Sequence, residues 1–203
     1  MTKAFCNPHR LEIMDLLAQG EKTVEVIAAE ISASVANASQ HLQVLKQAHL
    51  VTTRKQAHHI YYDLANADVF NTWYTLRSLS IRQMPQVKEV IRDFRHERDS
   101  LEAVSVDELY QRLHSDEVVL LDVRPTEEYQ RGHIPHAISI PLEQWDSLLA
   151  TLPRHKQIIA YCRGPFCVYS DEAVVQLKRK GYHAVRLEEG FPDWKKRGLP
   201  VAR

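Results

Sequence analysis

The sequence predicts two domains of different class. The first is mainly α, with a helix-turn-helix and a β-hairpin; the second is α/β, built on a central, mainly parallel sheet. Three observations lead there. The 203 residues suit one large or two small domains, and 44% hydrophobic content is enough to give each a core. Apolar spacing is helical through most of the first half, whereas strands alternate with helices in the second. Between them lies the polar stretch Arg95–Ser100, which divides the chain into residues 1–95, a linker at 96–104, and residues 105–203. Whether that stretch is a flexible linker or a continued helix stays open at this level.

Composition narrows the class further. With 26% charged residues, six Gly and three Cys, disordered, collagen-like and disulfide-scaffold classes are disfavoured. No apolar run approaches membrane-spanning length, so no membrane partner is expected. Met1–Arg10 lacks the apolar stretch of a signal peptide, and three unpaired-looking cysteines favour a reducing, cytoplasmic setting.

In order along the chain, Leu11, Ile13, Met14, Leu16 and Leu17 mark a first helix, closed by Gly20. Thr23 is placed to cap a second, Val24–Glu30, with Val26, Ile27 and Ile31 inward. After the turn Ser32-Ala33-Ser34 comes a third helix, Val35–Gln47, with Val35, Leu42 and Leu45 inward. Leu50–Arg54 and Ile60–Leu64 read as strands around a polar tip, Lys55–His59. A long helical stretch runs from about Asp68 to Phe94, interrupted at Pro85, with Val87, Val90, Ile91 and Phe94 on one stripe.

The formal net charge of zero argues against a nucleic-acid partner until its distribution is read. Residues 1–95 carry 11 basic and 9 acidic groups and residues 96–203 carry 15 and 17, so zero is the sum of +2 and −2. Ile31–Tyr62, 32 residues, contains no Asp or Glu. Local field, not the sum, governs contact with DNA. Two helices joined by a tight turn and followed by a hairpin form the arrangement of a winged helix-turn-helix, whose second helix enters the major groove. On that helix Asn37, Ser39, Gln40, Gln43 and Lys46 are polar, with His41 beside them. Asn and Gln read adenine edges bidentately. Arg54 and Lys55 of the wing are candidates to hold phosphates.

These residues resemble a known family. Asn7-Pro8-His9-Arg10-Leu11, Ser39-Gln40-His41-Leu42, Leu45, Ala48-His49-Leu50-Val51 and Tyr61-Tyr62 are similar to ArsR/SmtB-type winged-helix repressors. The resemblance covers roughly residues 5–95 and implies a homodimer, built through the first and last helices, on palindromic double-stranded operator DNA. The sequence departs where His49 and Ala57 stand at positions usually glycine. The helix before the recognition helix reads Thr23-Val24-Glu25-Val26, without the family's cysteine pair, so thiolate metal sensing there is not expected. Asp93, His96 and Glu97 are ligand types used by zinc sensors, but a solvated helix end is the better reading. No metal and no cofactor are therefore expected.

In the second half, Ser105-Val106-Asp107-Glu108 is a capping-box signature. Val118–Val123, Ile158–Tyr161 and Ala184–Leu187 read as strands, and Glu127–Arg131 and Ser170–Lys180 as helices. Cys162 and Cys167 lie between strand Ile158–Tyr161 and the following helix. A loop in that position presents backbone N–H groups and the positive end of a dipole, which stabilise a thiolate. Arg163 adds a positive charge beside it.

This region also resembles a family. Asp122-Val123-Arg124, Glu128-Tyr129, Gly132-His133-Ile134-Pro135, Ala137 and Ile140-Pro141 are similar to the first rhodanese signature. Gly190, Trp194, Gly198 and Leu199-Pro200-Val201 resemble the closing one. The resemblance covers roughly residues 105–203 and implies sulfur transfer through a Cys162 persulfide. Asp122, Arg124, Glu128 and His133 are read as scaffold or rim groups. The loop Cys162-Arg163-Gly164-Pro165-Phe166-Cys167 departs from the usual pattern, with Cys167 where an arginine closes it. Persulfides or polysulfides are then favoured over thiosulfate as donors. Cys167 either resolves a Cys162 persulfide as a disulfide or packs inward at the helix start.

The expectation is thus a DNA-binding regulator whose rhodanese domain forms a Cys162 persulfide and senses or transfers sulfane sulfur between a small donor and an acceptor thiol. The alternative is a sulfurtransferase enzyme whose DNA-binding domain only autoregulates or localises it. Candidate catalytic groups are Cys162, Arg163 and Cys167; candidate DNA contacts are Asn37, Ser39, Gln40, His41, Gln43, Lys46, Arg54 and Lys55.

Overall fold

The computed structural model describes residues 1–87, 89, 101–113, 117–141, 145, 149, 151–164 and 167–203. They divide into two compact units, Met1–Ser80 and Ile81–Arg203. The expectations for Val90, Ile91, Phe94, the stretch 95–100, the trio Asp93, His96 and Glu97, and the loop residues Pro165 and Phe166 lie outside the described residues.

In the first unit, helix α1 (Pro8–Ala18) begins where Asn7 accepts a hydrogen bond from the Arg10 amide, with Pro8 in the first turn. Strand β1 (Lys22–Thr23) leads into α2 (Val24–Glu30), and α3 (Val35–Gln47) is capped by Ser34, which accepts from the Asn37 amide. Strands β2 (Val51–Gln56) and β3 (His59–Leu64) form an antiparallel hairpin, and β1 adds to its β3 edge. Helix α4 (Ala67–Gln83) stops just ahead of Pro85, since the residue before proline is pushed out of helical geometry. Ile13, Met14, Leu17, Ile27, Leu42 and Leu45 are fully buried at the centre of this unit.

Three local expectations need correction. Val26 and Val35 are 45% and 47% exposed instead of inward. Val26 precedes Ile27 by one residue and is therefore turned about 100° from it around the helix. Val35 shares the Leu42 face by spacing, but the first turn of α3 extends past the core. Thr23 stands at the N-cap without a side-chain capping bond, because its side chain hydrogen-bonds the Glu25 carboxylate instead. The wing tip is also tighter than expected. Pairing runs out to Gln56 and His59, which leaves a tip of Ala57 and His58. Ala57 (φ 51°) and His49 (φ 58°) hold the left-handed backbone that usually calls for glycine.

The second unit is a five-stranded parallel sheet in the order β4-β8-β7-β5-β6. Its strands are β4 (Ala103–Val104), β5 (Val118–Asp122), β6 (Ile138–Ser139), β7 (Gln157–Tyr161) and β8 (Ala184–Leu187). Helices α5 (Val106–Arg112), α6 (Thr126–Arg131), α7 (Tyr169–Arg179) and α8 (Phe191–Lys196) connect and cover them. Ala103 and Val104, which the sequence reading put in the linker, pair with Arg186 and Leu187 of β8. Ser105 caps α5 by accepting from the Glu108 amide. Strands β1, β4 and β6 have two residues each, too short to show a period in sequence.

The strand period positions the cysteine. Along β7, Ile159 and Tyr161 pack into one core with Trp194 of α8, while Ile158 and Ala160 pack into the other with Val174 and Leu177 of α7. Cys162 continues the second series and is 2% exposed. Its carbonyl accepts a hydrogen bond from the Phe191 amide at 3.0 Å, so the turn between β8 and α8 lies directly on the cysteine loop. A side-chain carbon on Gly190 would sit 2.5 Å from both the Arg163 carbonyl carbon and the Gly164 Cα. Only glycine permits that approach.

Two substitutions check these backbone constraints. Ala57→Gly relieves the left-handed penalty at the wing tip and is expected to stabilise the protein by about 0.5–1 kcal/mol, read from its urea denaturation midpoint. Gly190→Ala forces the β8–α8 turn off the loop and is expected to destabilise by about 1–3 kcal/mol in the same measurement. An unchanged midpoint would contradict either assignment.

Candidate functional site

The first candidate surface is α3 with the hairpin. Ala38, Leu42 and Leu45 are buried at i, i+4 and i+7, which leaves Asn37, Gln40, Gln43 and Lys46 exposed on the opposite side. Ser39 and His41 are half-buried. The His41 ring lies 5.4 Å from that of His9 on α1. Burial, and then the fields of His9 and Arg10, lower the His41 pKa below the ordinary imidazole value. This makes His41 a weaker anion partner than the exposed members of the set. The Lys46 ammonium donates to Thr53 Oγ1 at 3.1 Å and ties α3 to the hairpin.

Arg54 is exposed, yet its guanidinium forms a two-pronged pair with Glu21, at 2.6 Å and 3.1 Å, and lies over the Tyr61 ring. Lys55, next along β2, is exposed. The acid-free stretch of sequence therefore meets an acid in space, supplied by Glu21 from outside it. Sequence separation hid that neighbour.

The second candidate is the end of β7. Cys162 and Cys167 are joined by a disulfide, with Cα atoms 6.5 Å apart. Cys167 also packs partly against the apolar cluster around α7. The Cys167 amide donates to the Gly164 carbonyl at 3.0 Å. When reduced, one thiolate can attack the sulfane sulfur of a persulfide donor, and the second can then attack the persulfide so formed.

Three ion pairs surround this loop. Arg124 and Asp122 are both fully buried, with Nη2–Oδ2 at 2.6 Å and Nε–Oδ1 at 3.0 Å. Burial opposes the Arg124 charge, but Asp122 outweighs it by field and hydrogen bond and raises its pKa. The buried Tyr161 hydroxyl donates to Asp122 Oδ2 and accepts from the Ile134 amide. Burial and Asp122 push its pKa well up, so it remains a neutral donor. Arg163 pairs with Glu128 of α6 at 2.6 Å and 3.2 Å. Asp171, in the first turn of α7, faces Arg186 of β8 at 3.4 Å.

The positive charge that the sequence puts at Arg163 is thus one half of an ion pair. Its guanidinium is engaged by a buried carboxylate and balanced by it. The sequence reading placed Glu128 among scaffold or rim groups; it is 2% exposed, whereas Glu127 beside it is exposed. Two adjacent glutamates look alike in sequence, and only the docking of α6 separates them. His133 stacks on Tyr129 with centroids 3.7 Å apart. Among the described residues no group of three or more His, Cys, Asp or Glu is placed to hold a metal ion.

Comparison with known proteins matches this geometry. Residues 7–53 match the bacterial regulatory protein, arsR family, and residues 105–197 match the rhodanese-like domain. An HTH-type transcriptional regulator of Mycobacterium tuberculosis is 39% identical over 199 residues, 98% of this chain and 87% of that protein. A protein named sulfurtransferase from Allochromatium vinosum is 30% identical over 100 residues, 48% of this chain and 92% of its own length. Among solved structures, the homodimeric winged helix-turn-helix DNA-binding domain of a Mycobacterium bovis protein is 36% identical and covers 42% of this chain and 79% of that one, at a TM-score of 0.41. No described helix is long and apolar enough to cross a membrane. With both domains matched in order, and a relative alike along nearly its whole length, the chain belongs to the arsR family of HTH-type transcriptional regulators and carries a rhodanese-like domain after its DNA-binding one.

Proposed function

We propose that the chain is a homodimeric, cytoplasmic operator-binding regulator in which Cys162 takes up sulfane sulfur and Cys167 resolves it, changing affinity for DNA. The pairing of Cys162 with Cys167 at the end of β7 is the observation that carries this reading. Leu76 and Leu79, exposed on α4, offer apolar surface for a second copy. In the first step the Cys162 thiolate attacks the sulfane sulfur of a persulfide donor, R–S–SH. The donor S–S bond breaks, RS⁻ leaves, and Cys162–S–SH forms. In the second step the Cys167 thiolate attacks Cys162 Sγ and expels HS⁻, leaving the disulfide. The two thiols are oxidised and the transferred sulfur is reduced to sulfide, so electrons balance without a further oxidant. Two equivalents of thiol reductant restore the dithiol.

On the DNA side, Asn37, Gln40 and Gln43 present carboxamides to the major groove, while Lys46, Arg54 and Lys55 meet phosphates, with Ser39 and His41 nearer the backbone rim. A second reading draws on the relative named sulfurtransferase: the same persulfide is passed to an external thiol in repeated turnover, and DNA binding only localises the enzyme. The two differ in what sulfur uptake does to operator affinity.

A mobility-shift titration on the upstream DNA, with reduced and polysulfide-treated full-length protein, separates them. Unchanged affinity, with sustained turnover onto an acceptor thiol, would favour the enzyme. Changing Asn37, Gln40 and Gln43 together to Ala is expected to lower specific affinity by at least about a hundredfold, at about 1–3 kcal/mol for each lost bidentate contact. Retained specific binding would remove α3 as the reader. In mass spectrometry after persulfide treatment, Cys167→Ser is expected to accumulate one extra sulfur on Cys162 and Cys162→Ser none. A Cys162→Ser variant that still takes up and passes on sulfur at the parent rate would end the assignment.

A further inference from the structure

Glu128 is 2% exposed, and a carboxylate at that depth keeps its charge only with a partner. Its partner is the residue directly after Cys162. Arg163 Nη2 meets Glu128 Oε1 at 2.6 Å and Nε meets Oε2 at 3.2 Å, so the planar fork is held in one orientation. The backbone of the same residue is fixed from the other side by Gly190, where no side chain fits. Arg163 is thus clamped by α6 through its side chain and by the β8–α8 turn through its main chain.

The charges nearby are arranged to the same end. Asp122 of β5 pairs with Arg124, and Asp171 of α7 pairs with Arg186 of β8. Asp193 of α8 accepts from the Gly190 amide, and the Tyr161 hydroxyl of β7 is a neutral donor to Asp122. Glu189 is engaged by Arg197 and by the Val106 amide. Each described arginine around the loop therefore faces a carboxylate. The guanidinium of the residue next to Cys162 is thus already balanced by a carboxylate.

We propose that Glu128 is a positioning residue for Cys162, setting how readily the thiol ionises by anchoring and neutralising Arg163. The proposal rests on the reading of Cys162 as the sulfur-accepting nucleophile. Removing the Glu128 charge leaves the cation of Arg163, the residue next to Cys162 in the chain, unbalanced and favours the thiolate. Removing Arg163 leaves the carboxylate without its partner and disfavours the thiolate. Removing both returns the loop to a neutral surrounding.

The test is a double-mutant cycle in the full-length chain carrying Cys6→Ser and Cys167→Ser, so that Cys162 is its one thiol. The readout is the pH midpoint of the iodoacetamide alkylation rate. Glu128→Gln is expected to lower the midpoint by about one pH unit, Arg163→Met to raise it, and the double variant to return to within a few tenths of the parent. Melting temperatures identify folded variants, and Glu128→Asp is expected to restore the parent midpoint in part. Equal midpoints for the parent and a folded Glu128→Gln variant would overturn the proposal. So would a double variant that keeps the full shift, since Glu128 would then act without Arg163. Persulfide uptake, followed separately by mass spectrometry, distinguishes the two readings. If midpoints move as expected while the parent takes up no sulfur, the sulfur reading fails and the role of Glu128 stands.

Discussion

The buried pair of Asp122 and Arg124 is the interaction on which the C-terminal unit turns. Asp122 ends β5, and its carboxylate receives both the Arg124 guanidinium and the hydroxyl of Tyr161 at the end of β7. Arg124 donates in turn to the Gly132 carbonyl, beyond α6, and lies over the Phe191 ring at the start of α8. One fully buried ion pair thus joins the elements that converge on Cys162. Breaking such a pair from one side costs about 3–5 kcal/mol, because the remaining charge is stranded. The pair thus ties the end of β5 to the end of β7, the residue after α6 and the start of α8.

The same economy of charge runs through both units. Around the cysteines, cations are matched by buried or half-buried carboxylates. In the DNA-binding unit, the face of α3 carries neutral carboxamides, and its one cation, Lys46, is tied to Thr53. Arg54 is held by Glu21, which meets it from outside the acid-free stretch. The Arg54 cation of this surface thus carries little unpaired charge, in keeping with a chain whose formal net charge is zero.

Much of this was legible in one dimension, and the reason differs by element. Helices α2 and α3 were read at the bounds they have, because Thr23 and Ser34 stand at their N-caps and the turn Ser32-Ala33-Ser34 separates them. Strands β7 and β8 were read to within a residue, because they are buried on both faces and, Gln157 and Arg186 apart, apolar throughout. Strands β1, β4 and β6 were missed, since two residues have no period. Val26 was misplaced because it adjoins Ile27 and turns away from its face, and Val35 because spacing assigns a face but does not say where a neighbouring element stops covering it.

Residue types and their order along the chain determined the two-domain plan, the helix-turn-helix with its hairpin, the parallel sheet and the position of Cys162 after a strand. Each of these depends on local periodicity and turn chemistry, which neighbours along the chain carry. Tertiary structure decided what those residues meet. It paired Cys162 with Cys167, turned Glu128 inward while leaving Glu127 in solvent, brought Glu21 to Arg54, and set Gly190 against the cysteine loop. Contacts between residues 26 to 35 positions apart depend on how helices and strands dock, and docking follows from packing the whole core, not from any one segment's pattern.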